Sequence, residues 1–302
     1  MSVRLRLLNA YLRHIERPLF GRVTDPVKGR RRFERQAYIF NCPPFAVYLP
    51  DRIGGVDAPW CHGRLSCDKV ILYFHGGGYV IGCAAVYRGM LSRLAIDTGG
   101  RACLPEYRLA PENPWPAALE DAQAMWTGLL DRGYRAEDII LGGDSAGGGL
   151  MLSLLSRICR SGDARPAAAF AMSPWTDLTL SGASYHDNAR TEAVLPPHRT
   201  VSTRDAVISA ERAREASPLF AEFPDCPPVF LQASRCEILR DDTLAMAEAL
   251  RAQGAAVELD MWDDPPHVWP IFQGWLPEAD EALARIAGFI RSQPRVPRQS
   301  GS

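Results

Sequence analysis

The chain has 302 residues, of which 47% are hydrophobic and 23% charged, and its formal net charge is −1. This composition is typical of a globular protein with a sizeable core, and the near-zero charge argues against nucleic-acid or anionic-membrane partners, which favour a basic excess. No run of 18 apolar residues predicts a membrane span, and charges interrupt the apolar residues of the N-terminus. We therefore expect no secretory signal and a cytoplasmic location. The eight cysteines lack metal-ligand spacing, which favours free thiols.

The first predicted element is a helix at the N-terminus. Five apolar residues recur there every three or four positions, which predicts one apolar stripe on a helix: Leu5, Leu8, Leu12, Ile15 and Leu19. The arginine-rich residues 28–35 that follow are interpreted as a solvated connector.

From residue 69 onward, short apolar runs alternate with longer amphipathic segments. Strands are predicted at 69–74, 101–104, 138–141, 167–172, 229–231 and 257–261. Helices are predicted at 86–98, 116–132, after the strand at 138–141, at 242–253 and at 278–291. This alternation predicts an α/β fold with right-handed crossovers and a mostly parallel sheet. Residues 180–216 interrupt this alternation of strands and helices. The segment is too long for a simple loop, which favours an inserted subdomain.

A glycine-flanked serine follows the strand predicted at 138–141. Residues 143–147, Gly-Asp-Ser-Ala-Gly, have the form G-x-S-x-G and open the next helix. A nucleophile elbow requires this strand-to-helix context, because the tight turn projects the serine above the sheet edge. The alternative, a plain glycine-rich turn, explains the context less well, so Ser145 is the candidate nucleophile.

A glycine run at 76–78 follows the strand predicted at 69–74. Backbone N–H groups of glycines can approach a substrate without an intervening Cβ and stabilise an oxyanion. A phosphate-binding loop is the alternative, but neither G-x-x-x-x-G-K-[ST] nor a helix-opening G-x-G-x-x-G is present.

A serine nucleophile needs a base, and His267 is the candidate. In hydrolases built around such an elbow, the chain order is serine, acid, histidine. The other five histidines either precede Ser145 or lie in the insertion before a later strand end can offer an acid: His14, His62, His75, His186 and His198.

Three acidic residues follow the strand predicted at 229–231: Glu237, Asp241 and Asp242. The two aspartates also fit as N-cap residues of the helix that begins there. Glu237 lies in the loop itself, and we favour it as the group that orients His267. Asp241 stays open as the alternative.

These segments together resemble the bacterial hormone-sensitive-lipase-like esterases and lipases of the α/β-hydrolase superfamily, over roughly residues 45–292. The motifs that carry the resemblance lie at 75–79, 106–112, 116–122, 142–148 and 173–178. The resemblance implies an α/β-hydrolase core, formed by residues 46–179 and 217–292, under a helical cap formed by residues 1–45 and 180–216. Residues 293–302 are expected to be a disordered tail.

The resemblance also implies hydrolysis of short- to medium-chain acyl esters without a cofactor or metal, through an acyl-enzyme intermediate. By position, Ser145, Glu237 and His267 would form the catalytic triad. The N–H groups of Gly76, Gly77 and Ala146 would form the oxyanion hole. One departure is that the family usually carries Asp-Pro-Leu where this chain has Glu-Ile-Leu at 237–239.

The sequence leaves the leaving group, a receptor role and the oligomeric state open. Amides or lactones could replace esters, because leaving-group preference depends on the cap. A non-catalytic receptor on the same fold is disfavoured by His267, which such receptors lack. Relatives often form homodimers through an edge strand, and the strand predicted at 257–261 is the candidate edge here. Trp175 fits either a pocket wall or the core.

Overall fold

The structure is a computed structural model that describes residues 1–40, 42–44, 46–62 and 69–293. Its strands are β1 (Val47–Leu49), β2 (Arg52–Ile53), β3 (Val56–Asp57), β4 (Trp60–His62), β5 (Val70–Phe74), β6 (Arg101–Cys103), β7 (Ile139–Asp144), β8 (Ala168–Met172), β9 (Val229–Ser234) and β10 (Val257–Trp262). Its α-helices are α1 (Val3–Tyr11), α2 (Arg17–Gly21), α3 (Pro26–Arg35), α4 (Ala84–Thr98), α5 (Ala117–Asp131), α6 (Ser145–Ser161), α7 (Ser184–Asp187), α8 (Thr200–Val207), α9 (Arg240–Ala252) and α10 (Pro277–Ser292).

Eight of these strands form one sheet in the order β1-β4-β6-β5-β7-β8-β9-β10. The pairs from β6 to β10 are parallel, whereas β1 and β4 add an antiparallel edge. The short strands β2 and β3 pair with each other. The predicted α/β fold with a mostly parallel sheet is therefore confirmed, and β10 forms the edge opposite to β1.

Helices cover both faces of the sheet, which explains why its central strands are continuously apolar. Successive side chains of a strand point to opposite faces. In β5, Val70, Leu72 and Phe74 accordingly pack into one buried cluster together with residues of α5 and α6. Ile71 and Tyr73 pack into a second cluster with residues of α4 and α10.

The predicted strands and helices from residue 69 to 292 are present, with bounds that shift by one to three residues. The antiparallel strands β1 to β4 were not predicted, because each has only two or three residues and gives no usable period. The equally short β6 was predictable because it follows the Gly99-Gly100 end of a predicted helix. Most of the predicted tail, residues 294–302, lies outside the described residues.

The N-terminal helix differs from its prediction. It is interrupted by a π-helical turn at Leu12–Glu16 between α1 and α2. A π turn inserts one extra residue per turn and rotates the following side chains out of register. Leu5, Leu8 and Leu12 are buried as expected, but Ile15 is 49% exposed.

The arginine-rich residues 28–35 also differ from their prediction, because they belong to α3 and not to a connector. Asp25 caps this helix by accepting hydrogen bonds from the backbone N–H groups of Val27 and Lys28. An N-cap aspartate followed by a proline at the first helical position is a strong helix-start signal.

The N-terminal segment, residues 1–40, contacts the insertion at 180–216. Arg13 donates to the carbonyl of Thr191, and Arg17 donates to the carbonyls of Ala189 and Glu192. The insertion contains short helices, including α7 and α8. No helix in the described part of the chain is both long and apolar enough to cross a bilayer.

Candidate active site

The loops that follow five neighbouring parallel strands meet at one edge of the sheet. Phe74 at the end of β5 lies opposite Gly143 in β7, and Met172 at the end of β8 lies opposite Gln232 in β9. Because the strands are parallel and end in register, the residues after them converge. The predicted residues Gly76, Glu237 and His267 lie in these loops, and Ser145 begins the helix that follows β7 directly.

Ser145 occupies a strained turn between β7 and α6. Its φ is 51°, in the left-handed region that non-glycine residues rarely adopt. Glycines make the turn possible: a Cβ on Gly143 would overlap the carbonyl of Gly147, and a Cβ on Gly147 would overlap the carbonyls of Phe74 and His75. The turn holds Ser145 at the wall of a cavity.

Asp144, the residue before the serine, holds the glycine loop in place. Its carboxylate accepts hydrogen bonds from Tyr73 Oη (2.7 Å), Tyr87 Oη (3.1 Å) and the backbone N–H of Gly76 (2.9 Å). Burial raises the pKa of Asp144 to about 6, against the opposing effect of these hydrogen bonds. A Cβ on residue 76 would overlap this carboxylate, so glycine is required there.

This arrangement does not fit the expectation that Gly76 donates to an oxyanion. The Gly76 N–H is already paired with Asp144, and Gly76 is not part of the cavity wall, whereas Gly77 and Gly78 are. Within the described residues, no protein acceptor takes the N–H of Gly77 or Gly78. The N–H of Ala146 lies in the first turn of α6, where amides have no acceptor within the helix.

His267 and Glu237 form a buried pair after β10 and β9. Their closest atoms, His267 Nδ1 and Glu237 Oε2, are 2.5 Å apart. Glu237 Oε1 accepts from Ser173 Oγ (2.9 Å) and from the backbone N–H of Ser234 (2.7 Å). Ser173 Oγ in turn accepts from the backbone N–H of Val268 (3.3 Å), the residue after His267. The imidazole and the carboxylate are therefore held in a fixed orientation.

The charges around His267 favour its protonated form. Burial alone would lower the pKa of His267, but the hydrogen bond and negative charge of Glu237 outweigh it, with smaller contributions from Glu192 and Asp144. The net pKa is raised above the ordinary histidine value. An imidazolium formed during a reaction would be stabilised by the same charges.

The alternative acid, Asp241, contacts other groups. Its carboxylate accepts from the backbone N–H of Ser184 (2.8 Å) and pairs with Arg240 (2.7 Å). Asp242 accepts from the backbone N–H groups of Thr176 and Asp177. The N-cap position of α9 is Leu239, so the expectation that either aspartate caps this helix is wrong. Both instead tie α9 to the segment after β8 and to the insertion.

Glu192, in the insertion, is a buried neighbour of this pair that sequence reasoning missed. Its carboxylate accepts from the backbone N–H groups of Val194 (2.7 Å), Leu195 (3.1 Å) and Ile238 (3.0 Å). Burial raises the pKa of Glu192. No local pattern marks this glutamate, because the insertion has no regular period. Ser173 was also missed, although its position directly after a strand at the same sheet edge is a usable signal.

A cavity of about 680 Å³ lies between this edge and the two segments above it. Ser145 and His267 both line it. Trp175 lines it too and also packs in the larger buried core cluster, so both of its expected roles are met. Most of the remaining wall is apolar and comes from the N-terminal segment, the insertion and the turn after His267: Leu12, Phe20, Val23, Phe33, Phe40, Val194, Leu195, Ile271 and Phe272.

The other histidine near the site, His75, is a structural residue. It is buried, which lowers its pKa to about 4, and its ring stacks on Tyr107 at a centroid distance of 4.4 Å. The seven cysteines within the described residues are free thiols, and Cys67 lies outside them. Cys61, Cys103 and Cys159 are buried, whereas three others are half-buried and Cys42 is exposed. In the same part of the chain, no group of three or more His, Cys, Asp or Glu side chains is arranged to hold a metal ion.

Comparisons with known proteins agree with this architecture. A family model described as the α/β hydrolase fold matches residues 71–271. An acetyl-hydrolase from Streptomyces hygroscopicus is 33% identical over 242 residues, covering 80% of this chain and 81% of its own. An esterase from Acinetobacter venetianus is 30% identical and covers 84% and 85%.

Solved structures are similar over almost the whole chain. The crystal structure of an esterase from the bacterial hormone-sensitive lipase family is 35% identical, with a TM-score of 0.90 over 97% of this chain and 99% of that one. The fold is that of an α/β hydrolase. The chain belongs to the bacterial hormone-sensitive-lipase-like family of this superfamily, and it is a carboxylesterase.

Proposed function

We propose that this carboxylesterase hydrolyses short- to medium-chain acyl esters through Ser145, His267 and Glu237. The observation that carries the proposal is the 2.5 Å contact of His267 Nδ1 with Glu237 Oε2, next to a cavity that Ser145 also lines. A carboxylate at Nδ1 leaves Nε2 as the basic nitrogen, which is the tautomer that a serine nucleophile requires.

The reaction proceeds through two acyl transfers. His267 Nε2 takes the proton of Ser145 Oγ as that oxygen attacks the ester carbonyl, and the protonated imidazole then gives the proton to the leaving alcohol. Water attacks the acyl-enzyme with His267 again as base, and Ser145 Oγ leaves with the proton. Glu237 stays ionised and offsets the imidazolium charge in both halves.

The oxyanion donors in this proposal are the N–H groups of Gly77, Gly78 and Ala146. Gly78 replaces Gly76, whose N–H is paired with Asp144. Each preorganised donor contributes roughly 2.7–4 kcal/mol to transition-state stabilisation. The role of Gly76 is then to place the next two amides, through its hydrogen bond to the residue before the nucleophile.

The cavity sets the substrate class. A volume of about 680 Å³ with a mostly apolar wall accommodates a modest acyl chain and an alcohol group. A related structure, EstE5, 33% identical with a TM-score of 0.91, was soaked by p-nitrophenyl butyrate. We extend a preference for acyl chains of this size to the present chain. In the proposal, residues 1–45 and 180–216 act as a cap over the core, and substrates pass beneath it.

The test compares Ser145→Ala with Ser153→Ala, the same change two turns later in α6, across a series of p-nitrophenyl esters from acetate to laurate. Ser145 already has a Cβ, so the variant adds no strain and should keep the wild-type circular dichroism. We expect kcat to fall by roughly 10³–10⁶-fold for Ser145→Ala and to stay near wild type for Ser153→Ala. Full turnover in Ser145→Ala would reject the nucleophile assignment, and a laurate optimum would reject the chain-length assignment.

The proposal extends to assembly through β10, which within the described residues has a hydrogen-bonded neighbour strand on one side only. An exposed strand edge is a template for pairing with another chain, which here would give a homodimer. Light scattering of the purified protein should then give twice the chain mass of 33.3 kDa. A mass of one chain at micromolar concentration would contradict this assembly.

A further inference from the structure

The near-zero net charge of the chain hides two opposite regions. Residues 1–40 contain ten Lys and Arg but only three Asp and Glu, a net charge of +7. The remaining residues contain 24 Lys and Arg against 32 Asp and Glu, a net charge of −8. The average charge, which argued against anionic partners, therefore says nothing about the N-terminal segment taken by itself.

The same segment exposes an apolar stripe. Val3, Leu7, Tyr11 and Ile15 follow one another at intervals of four residues along α1 and the π turn, and they are 70%, 63%, 47% and 49% exposed. Residues four apart lie on one side of a helix, so these side chains form a continuous face. Eight of the fifteen large apolar side chains that are exposed in the described residues fall within the first 39 positions.

Basic side chains lie near the Ile15 end of this stripe, where Glu16 lines the same surface as side chains of α3. Lys28, Arg31 and Arg35 of α3 line a shallow concavity together with Ile39, which is 74% exposed. Arg31 and Arg35 are exposed, and within the described part of the chain neither has an acidic side chain at ion-pair distance. We call the exposed side chains of residues 1–40 the basic apolar face.

The inner side of the same helices forms part of the ester cavity. Leu12, Phe20 and Phe33 line the cavity, while residues one or a few positions away point to solvent. The basic apolar face is thus the outer surface of the segment that covers the site. Whatever binds there contacts the same helices that line the cavity.

From this arrangement we infer that the basic apolar face docks the enzyme on an anionic lipid–water interface, from which amphiphilic esters enter the cavity. A helix with an apolar face flanked by Lys and Arg lies in the plane of such an interface, with its apolar side chains among the acyl chains. Phosphate-bearing headgroups complement Arg31 and Arg35, the exposed guanidinium groups of this face that have no acidic partner within the described residues.

A second copy of the chain fits this face less well. A two-fold symmetric contact places the same patch against itself, which would bring the exposed Arg31 and Arg35 of one copy towards those of the other. Exposed arginines without acidic partners would then repel each other. An anionic surface relieves this repulsion, and an extended interface also covers the whole apolar stripe at once.

The test measures co-sedimentation with vesicles of ether-linked lipids, which contain no carboxylic ester and so separate docking from hydrolysis. Vesicles of phosphatidylcholine alone are compared with vesicles containing one third phosphatidylglycerol, at low and high salt. We expect wild-type protein to bind the phosphatidylglycerol vesicles and to lose most of this binding in high salt. Absence of binding to anionic vesicles at low salt would overturn the inference.

Two pairs of variants locate the docking surface. Arg31→Glu with Arg35→Glu should weaken vesicle binding at least about tenfold. Arg157→Glu with Arg160→Glu changes the net charge equally but lies on exposed positions of α6 away from the cap, and it should bind like wild type. Equal loss in both pairs would overturn the inference, because binding would then follow net charge alone.

An apolar pair and two independent readouts complete the test. Leu7→Gln with Ile15→Gln should weaken vesicle binding, whereas Ile96→Gln, at a 41% exposed position in α4, should not. Turnover of soluble p-nitrophenyl acetate should be unchanged in the docking variants. Vesicle binding and ester hydrolysis are therefore measured separately, and either proposal can fail without the other. If Arg31→Glu with Arg35→Glu instead changes the mass in light scattering while no variant affects vesicles, the face binds a second copy and the inference fails.

Discussion

The two sides of the candidate active site are built in different ways. On the Ser145 side, the backbone fixes the geometry: the serine has a φ of 51°, and two glycines allow close backbone approaches around it. On the His267 side, side-chain hydrogen bonds fix the geometry, through Ser173 and Glu237. The first side is local in sequence, and the second draws its partners from the loops after three different strands.

This difference indicates how each side responds to change. A backbone-built turn depends on a few residues within the same motif and fails when one of them gains a Cβ. A side-chain-built pair depends on distant support, since Asn188 of the insertion donates to the carbonyl of Glu237 and Glu192 accepts from the N–H of Ile238. The insertion therefore helps to position the acid as well as covering the cavity.

After Ser145→Ala, the largest effect on kcat is expected for Glu237→Gln. Glutamine at 237 would no longer offset the imidazolium charge and would favour the wrong histidine tautomer, so kcat for p-nitrophenyl butyrate should fall by roughly 10³–10⁴-fold. Asp241→Asn is the matched control, because Asp241 contacts Ser184 and Arg240 and not His267. A larger loss for Asp241→Asn would move the acid to position 241.

The Ser145 side is tested by Gly147→Ala. The added methyl group would overlap the carbonyls of Phe74 and His75, so the free energy of unfolding in urea should fall by about 2–3 kcal/mol or more, with loss of turnover. Gly288→Ala is the control in α10, where an added Cβ meets no atom within 4 Å. That variant should gain about 0.5–1 kcal/mol from helix propensity. Equal stability of the two variants would show that the backbone around residue 147 has room for a methyl group.

The same contrast explains how much the sequence could predict. Ser145 was predictable because its turn is encoded by adjacent glycines, and His267 because its loop follows the last strand. The hydrogen bond from the Gly76 N–H to Asp144 was not predictable from the sequence. The Asp144 carboxylate is held by two side chains, Tyr73 and Tyr87, that lie in other elements. Motif position alone therefore assigned an oxyanion role to the Gly76 N–H, which already donates a hydrogen bond to Asp144.

The spacing of apolar residues predicted some elements well and failed for others. They predicted the parallel strands and their helices, since those elements are long and buried on one or both faces. They failed in the N-terminal segment, where a π turn breaks the period after Leu12 and exposes Ile15. They also missed the charge contrast between this segment and the rest, because whole-chain composition averages it away.

The smallest effect is expected for Glu192→Gln, which tests whether the insertion influences the chemistry. The ionised carboxylate of Glu192 raises the pKa of His267, and the base must be unprotonated to act, so the variant should move the acid limb of the kcat/KM profile to lower pH. Its amide NH₂ would also face the N–H of Ile238, which should cost about 1–3 kcal/mol of stability. Asp187→Asn, an exposed change in the same insertion, should leave both the profile and the stability unchanged. An acid limb that stays in place, or moves to higher pH, would mean that the insertion supports the acid loop only mechanically and that His267 does not sense its charge.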